Sequence, residues 1–231
     1  MKLLALDTSS VACSVALQVD DELATCHEEQ PREHTRLLLP MINGLLDEAG
    51  VASSDLDAIV LGNGPGSFVG MRIAASVAQG LAFASGLKIV PVSSMAAVAA
   101  RVLADAAVDE VVVTQDAHMQ QVYLGIYSPG DDGLPVEKAP ERLHDLEPIN
   151  ELEIPSDARR VAAGFGWQRY PELLVANRDR ISAVSEVLHP CASDLLGMAK
   201  VAIANRQAVE PQDIVPTYLR QKVAEKPTPI S

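Results

Sequence analysis

Two aspartates follow short apolar runs and are placed to hold a magnesium ion for phosphate chemistry. Asp7 comes after Leu3 to Leu6, and Asp116 after Glu110 to Thr114. In active nucleotide-handling folds such an Asp holds Mg2+ through water. The groups that would face a phosphate with them are Thr8, Ser9 and Gly64, the last in the loop GNGPGS, residues 62–67. Gly62, Gly64 and Gly66 permit a sharp turn, Ser67 is a natural N-cap, and a helix start of this kind attracts anions. The loop is not GxxxxGK[ST], so it lacks the Lys that grips phosphate in a P-loop. The preferred reading is that each Asp accepts backbone N–H groups of its own turn.

Other chemistry finds less support. Ser9, Ser10 and Ser67 fall in turns with no His–Asp pair near them, and GNGPGS is not a GxSxG elbow. His27, His34, His118, His144 and His189 include no two that are three or four residues apart, so no helical His pair is set for zinc and no metal site is expected. His34 reads as a helix-surface His beside Glu33. Cys13, Cys26 and Cys191 are odd in number and widely spaced, and read as reduced thiols of a cytosolic core rather than a disulfide framework. Trp167 reads as packing, and Arg220 and Lys222 as surface charges.

The 231 residues suit one large domain or two lobes of about 100 residues each. Apolar residues make up 48% and aromatic residues only 3%, which predicts an aliphatic, alanine-rich core. A net charge of −13 repels a phosphate backbone, so any contact with nucleic acid must run through a more basic partner. No 18-residue apolar run is apparent, so no membrane span is expected. The start MKLLALDTSS reads as a first strand rather than a secretion signal, and a cytoplasmic location follows.

Strands are predicted over Leu3 to Leu6, Val11 to Val19, Glu22 to Glu28, Leu56 to Leu61 and Lys88 to Val92. Helices are predicted over Pro31 to Ala49, Ser67 to Ser85, and Ser94 to about Ala106. The pattern restarts at Glu110: strand, Asp116, turn, then a strand over Gln121 to Tyr127. Ser128 to Pro135 reads as a loop, Arg160 to Ala163 as a strand and Ser193 to Asn205 as a helix capped by Ser193. The segment from Pro211 reads as extended and partly mobile. Two such βββαβαβα halves describe an α/β, two-lobed actin-like or ribonuclease H-like fold with a degenerate second lobe. The first lobe is expected over 1–106, the second over 107–216 and a tail over 217–231.

The helix from Pro31 is apolar nearly all round its second half. Leu38, Met41, Ile42, Leu45 and Leu46 share one face, and Leu37 and Leu39 flank it. One face must cover a sheet; the remainder would be an exposed patch of the kind that marks partner sites. The helix from Ser67 is rich in Gly and Ala and suits close helix approach. The patterns alone leave interface and core in balance.

DTSSVACSVAL, PREHTRLLLPMI, GNGPGSFVGMRIAASVAQGLA, DAHMQQVY and PTYLR together resemble the bacterial TsaB (YeaZ) family, over Lys2 to about Arg220. Val69 stands where that family's loop often has Thr, and His118, Gln120 and Gln121 where its second-lobe turn often has Arg, Gly and Glu. The resemblance implies a non-catalytic partner of the TsaD threonylcarbamoyltransferase, needed for threonylcarbamoyladenosine in tRNAs reading ANN codons. It implies a TsaE-like ATPase as a further partner, a homodimer in isolation, and tRNA contact only through the complex. No cofactor is expected on this chain alone; ATP and Mg2+ at the complex interface stay open. The resemblance tips the first helix toward an interface made by Arg36, Leu37, Leu39, Met41 and Leu45, with Phe68 and Met71 from the second. The alternative is a small-molecule kinase or ATPase of the same fold, with Asp7, Gly64 and Asp116 around the phosphates.

Overall fold

Leu3, Leu4, Ala5 and Leu6 in β1 (Lys2–Asp7) have no exposed surface, as expected of a strand covered on both faces. The computed structural model describes residues 1–105, 108–147, 152, 154 and 159–220. In it β1 pairs antiparallel with β2 (Ala12–Val19), which pairs antiparallel with β3 (Glu22–Glu29). On its other side β1 runs parallel to β4 (Ala58–Gly62), and β4 parallel to β5 (Ile89–Val92). The order is β3-β2-β1-β4-β5.

The second sheet repeats this plan. It contains β6 (Glu110–Asp116), β7 (Gln121–Pro129), β8 (Pro135–Asp145), β9 (Arg160–Ala163) and β10 (Ala183–Val184), in the order β10-β9-β6-β7-β8. Counted from its own first strand, the order is again 3-2-1-4-5, with antiparallel pairs β6–β7 and β7–β8 and parallel pairs β6–β9 and β9–β10. The expected two-lobed actin-like or ribonuclease H-like architecture is the one observed. The expected boundary between residues 106 and 107 lies outside the described residues, as do residues 221–231 with Lys222.

Helices α1 (His34–Ala49) and α2 (Phe68–Ser85) cover the outer face of the first sheet. α1 opens at His34 rather than Pro31 because Arg32 takes a φ of 69° and turns the chain first. Gly50 ends it with a φ of 62°, as its place in the sequence predicts. By length and composition alone α2 would serve as a membrane span, contrary to the expectation above. Its stripe of Gly70, Met71, Ala74, Ala75, Ala78 and Ala82 is buried against the lobe instead, as in a core helix. In the second lobe, α4 (Phe165–Arg169) and α5 (Pro171–Ala176) lie between β9 and β10, where the first lobe has the 18-residue α2.

The inner faces are covered by exchange. α3 (Ser94–Asp105) follows the first sheet but packs Met95, Val98, Ala99 and Val102 on Val111, Val113 and Tyr127 of the second. α6 (Ala192–Ala204) follows the second sheet but packs Ala192, Leu195, Leu196 and Ala199 on Leu3, Ala5, Val60 and Val90 of the first. α6 starts one residue before Ser193, and Cys191 takes the N-cap position with no side-chain cap bond.

The segment from Pro211 is anchored up to Arg220. Thr217 N donates to Asn63 O at 3.0 Å, and Asn63 Nδ2 donates to Val215 O at 3.0 Å. Arg220 Nη2 donates to the carbonyls of Ala117 and His118 at 2.5 and 3.1 Å, so it ties this segment to the second lobe rather than standing as a free surface charge. Trp167 is packed as expected, its Nε1 donating to Val112 O at 3.0 Å.

Because α6 completes the core of the first lobe, Leu195→Ala is expected to cost about 2–5 kcal/mol. Urea unfolding followed by circular dichroism checks this, and the first lobe should lose its structure in the same transition as the second.

Candidate functional site

Two places gather the residues singled out by sequence: the turns after β1 and β6, and the outer groove between α1 and α2.

At the first turn the glycine loop seals the aspartate in. Asp7 is 1% exposed. Its Oδ1 accepts from Ser9 N at 2.8 Å and Ser9 Oγ at 2.7 Å, and its Oδ2 accepts from Ser94 Oγ at 2.6 Å. Ser94 Oγ in turn accepts from Gly64 N at 3.0 Å, and Gly64 O accepts from Ser94 N at 2.9 Å. Thr8 Oγ1 donates to Gly70 O at 2.7 Å, and Ser67 N donates to Ser9 O at 2.6 Å. The approach is so close that a Cβ on Gly70 would overlap the Thr8 carbonyl, and one on Gly66 the Ser9 carbonyl. Asp7, Thr8, Ser9 and Gly64 thus form one buried network at the start of α2 and α3. Burial outweighs the three hydrogen bonds and pushes the Asp7 carboxyl above its ordinary value.

Asp116 belongs to a different network. Its Oδ1 accepts from His118 N at 2.8 Å and Tyr170 Oη at 2.9 Å, and its Oδ2 lies 3.2 Å from His118 Nδ1. His118, Met119 and Gln120 all have positive φ, at 60°, 53° and 53°, a turn that Arg220 clamps from outside. Both aspartates accept N–H groups from their own turns. Among the described residues no group of three or more His, Cys, Asp or Glu side chains is arranged to hold a metal ion.

The outer groove is open. It has a volume of about 490 Å3 and is lined by Leu38, Leu39, Phe68, Val69, Ile73 and Val77, with His34, Thr35, Arg72 and Ser76 between them. Leu39 is 47% exposed and Val69 64% exposed. The guanidinium of Arg72 lies 3.7 Å from the centroid of the Phe68 ring, and its Nε donates to Tyr218 Oη at 3.0 Å. The rings of Phe68 and Tyr218 are 5.5 Å apart. A cation–π contact and a neighbouring ring therefore hold Phe68 at the rim. His34 is buried, not a surface residue: its Nε2 lies 3.0 Å from Ser10 O and fixes the start of α1 to the β1–β2 turn.

Of the expected interface residues, Arg36, Leu39 and Phe68 are exposed and Leu37 is half-buried. Arg36 Nε pairs with Glu33 at 2.5 Å. Met41, Leu45 and Met71 are buried in the first lobe and are corrected to core. The cause is helical period: Leu38, Met41, Ile42, Leu45 and Leu46 form the stripe that faces the sheet. The sequence reading missed Val69, Arg72, Ile73 and Val77. Their spacing of three and four along α2, opposite its small-residue stripe, was the available signal.

A family model described as TsaD: tRNA N6-adenosine threonylcarbamoyltransferase matches residues 26–156. The chain is 34% identical over 229 residues to the tRNA threonylcarbamoyladenosine biosynthesis protein TsaB of Escherichia coli (strain K12), covering 99% of each chain. It is 35% identical over 237 residues to the Haemophilus influenzae protein of the same name, covering 99% of this chain and 98% of that one. Among solved structures it is 40% identical, with a TM-score of 0.86, to a Pseudomonas aeruginosa protein described as uncharacterized with similarity to peptidase YEAZ, covering 95% of this chain and 99% of that one. Against YeaZ from Pseudomonas aeruginosa the TM-score is 0.85 at 40% identity, covering 94% and 99%.

Asp7→Ala removes the acceptor for three donors and is expected to destabilise by about 1–3 kcal/mol. Asp7→Asn should behave differently with pH. The folded protein holds the Asp7 proton more tightly than the unfolded chain, so that contribution is complete below the unfolded value of 3.8 and is lost as pH rises through the folded one. Urea titrations from pH 4 to 7 should therefore show the balance moving in favour of Asp7→Asn as pH rises.

Proposed function

The chain belongs to the TsaB family of tRNA threonylcarbamoyladenosine biosynthesis proteins, and from that membership we propose that it serves as a non-catalytic partner of a TsaD-like threonylcarbamoyltransferase acting on tRNAs that read ANN codons. The observation that carries this reading is the open apolar groove of α1 and α2. Leu39, Phe68 and Val69 together expose a contiguous apolar surface beside two arginines, Arg36 and Arg72. These side chains are 38–64% exposed, so covering what remains of each contributes about 1 kcal/mol, roughly half of the value for full burial, and exposed patches of this kind mark partner sites. The polar groups of the β1–β2 turn are by contrast committed to one another.

In this reading the groove joins two copies of the chain in isolation, and a TsaD-like subunit displaces the second copy. A TsaE-like ATPase joins the pair, and tRNA is reached only through the assembly, which suits a chain of net charge −13. Any ATP and Mg2+ sit at the interface of the complex. Binding through the groove favours the active arrangement of the catalytic subunit.

Reconstitution with the TsaD and TsaE counterparts and with the TsaC counterpart, the producer of threonylcarbamoyl-AMP, tests this directly. Val69→Arg should change stability by no more than about 0.5 kcal/mol, because the side chain faces water. It should weaken association with the TsaD counterpart at least about tenfold, and tRNA modification should fall with it. Modification at full rate without this chain, or unchanged association of the variant, would contradict the reading.

A further inference from the structure

The segment Pro216 to Arg220, PTYLR, crosses from the rim of the α1–α2 groove to the second lobe. Thr217 N is tied to Asn63 O in the glycine loop at 3.0 Å. Tyr218 Oη accepts from Arg72 Nε at 3.0 Å. Leu219 packs against the inner core of the second lobe, and Arg220 holds the carbonyls of Ala117 and His118. Arg72 is thereby braced twice, by the Phe68 ring 3.7 Å from its guanidinium and by Tyr218 at Nε. A long side chain held in place before binding costs less to order at an interface. The two Nη groups of Arg72 carry no hydrogen bond among the described residues. Together they present the fork that grips a carboxylate through two parallel bonds.

Charge at the groove differs from that of the chain as a whole. The net charge is −13, yet no Asp or Glu lines the groove, and Arg72 is its one permanently charged lining residue. Arg36, Arg101, Arg160 and Arg169 each form an ion pair with a carboxylate, whereas Arg72 forms none among the described residues. Glu33, just ahead of α1, is taken by Arg36. Covering the groove strips water from Arg72, which is costly unless a carboxylate meets it. Two occupants differ in this respect. A second copy docked about a two-fold axis brings the same surface to the contact. Arg72 sits midway along the 68–77 stretch of α2 that lines the groove, so such an axis brings the two guanidinium groups toward each other with no lining carboxylate between them. A different protein is free to supply the missing carboxylate.

We propose that Arg72, positioned by Tyr218, selects a different protein over a second copy of this chain at the groove, by receiving an Asp or Glu side chain of that protein. This rests on the reading above, in which a TsaD-like subunit displaces the second copy. The occupant is then a segment that sets one carboxylate among apolar side chains. Its apolar part covers Leu39, Phe68 and Val69, and its carboxylate takes the Nη groups of Arg72. Attraction in one assembly and like-charge repulsion in the other both widen the difference between them.

The test measures both assemblies with the full chain. Sedimentation equilibrium of the chain alone gives the homodimer affinity, and calorimetric titration with the TsaD counterpart, corrected for homodimer dissociation, gives the heterodimer affinity. Arg72→Gln keeps a flat amide for the Phe68 ring and a donor for Tyr218 but removes the charge. It should weaken the heterodimer at least about tenfold and tighten the homodimer at least about threefold. Tyr218→Phe keeps the ring contact and frees Arg72, and should weaken the heterodimer about threefold without weakening the homodimer. A merely structural role would move both assemblies the same way. An Arg72→Gln chain whose ratio of heterodimer to homodimer affinity stays within about threefold of the unaltered one, or an unaltered chain that forms no homodimer, would overturn the proposal. Val69→Arg tells the two failures apart. If it weakens the heterodimer and Arg72→Gln does not, only the role of Arg72 is lost; if neither variant does, the groove reading falls as well.

Discussion

Neither lobe of this chain owns its whole core. α3 leaves the first sheet to cover the second, and α6 leaves the second to cover the first, so each inner face is closed by the other lobe's last helix. Leu195 and Met95, both fully buried, sit at the centres of these exchanged contacts. Hydrophobic burial is the dominant favourable term in folding, and here it cannot be collected one lobe at a time. The exchange also fixes what the outer faces present, because α1 and α2 are left as a single layer with solvent on their far side.

The sealed turn follows from that arrangement. α3 brings Ser94 to Asp7, and the glycine loop brings Gly66 and Gly70 against the carbonyls of Ser9 and Thr8. An actin-like plan points the β1–β2 turn at a ligand between the lobes, whereas this chain spends the turn's donors and acceptors on its own helices. The polar groups are satisfied internally, and the surface with unmet apolar area lies on the opposite side of the sheet, over Leu39, Phe68 and Val69. The same lobe boundary that closes over Asp7 leaves a small opening at Cys191, whose Sγ lies 3.6 Å from Ser14 Oγ and 3.2 Å from Ser193 Oγ.

Much of this was legible in the residues. The runs at Leu3 to Leu6 and Glu110 to Thr114, the first followed directly by Asp7 and the second by Gln115 and Asp116, located the first strand of both sheets and so the duplication. Gly50 and Ser67 marked helix ends correctly, because their conformations are local matters. β8 was not legible: PVEKAPERLHD is charged and carries two prolines, and it is held by pairing with β7 rather than by an apolar pattern of its own. The burial of Met41 and Leu45 was implicit in the helical stripe they share with Leu38. A helix that is apolar nearly all round nevertheless hides which side meets the sheet. His27 and Cys191 line one cavity although they are far apart in the chain, and no local pattern connects them.

The central claim is that the α1–α2 groove, and not the turns between the lobes, is what this chain presents to a catalytic subunit. Hydrogen–deuterium exchange of the full chain, alone and with its TsaD counterpart, tests it most directly. The account predicts new protection over residues 34–39 and 68–77 on complex formation, with the turns at 7–10 and 116–120 unchanged. Protection confined to those turns, with the groove exchanging as freely as before, would contradict it.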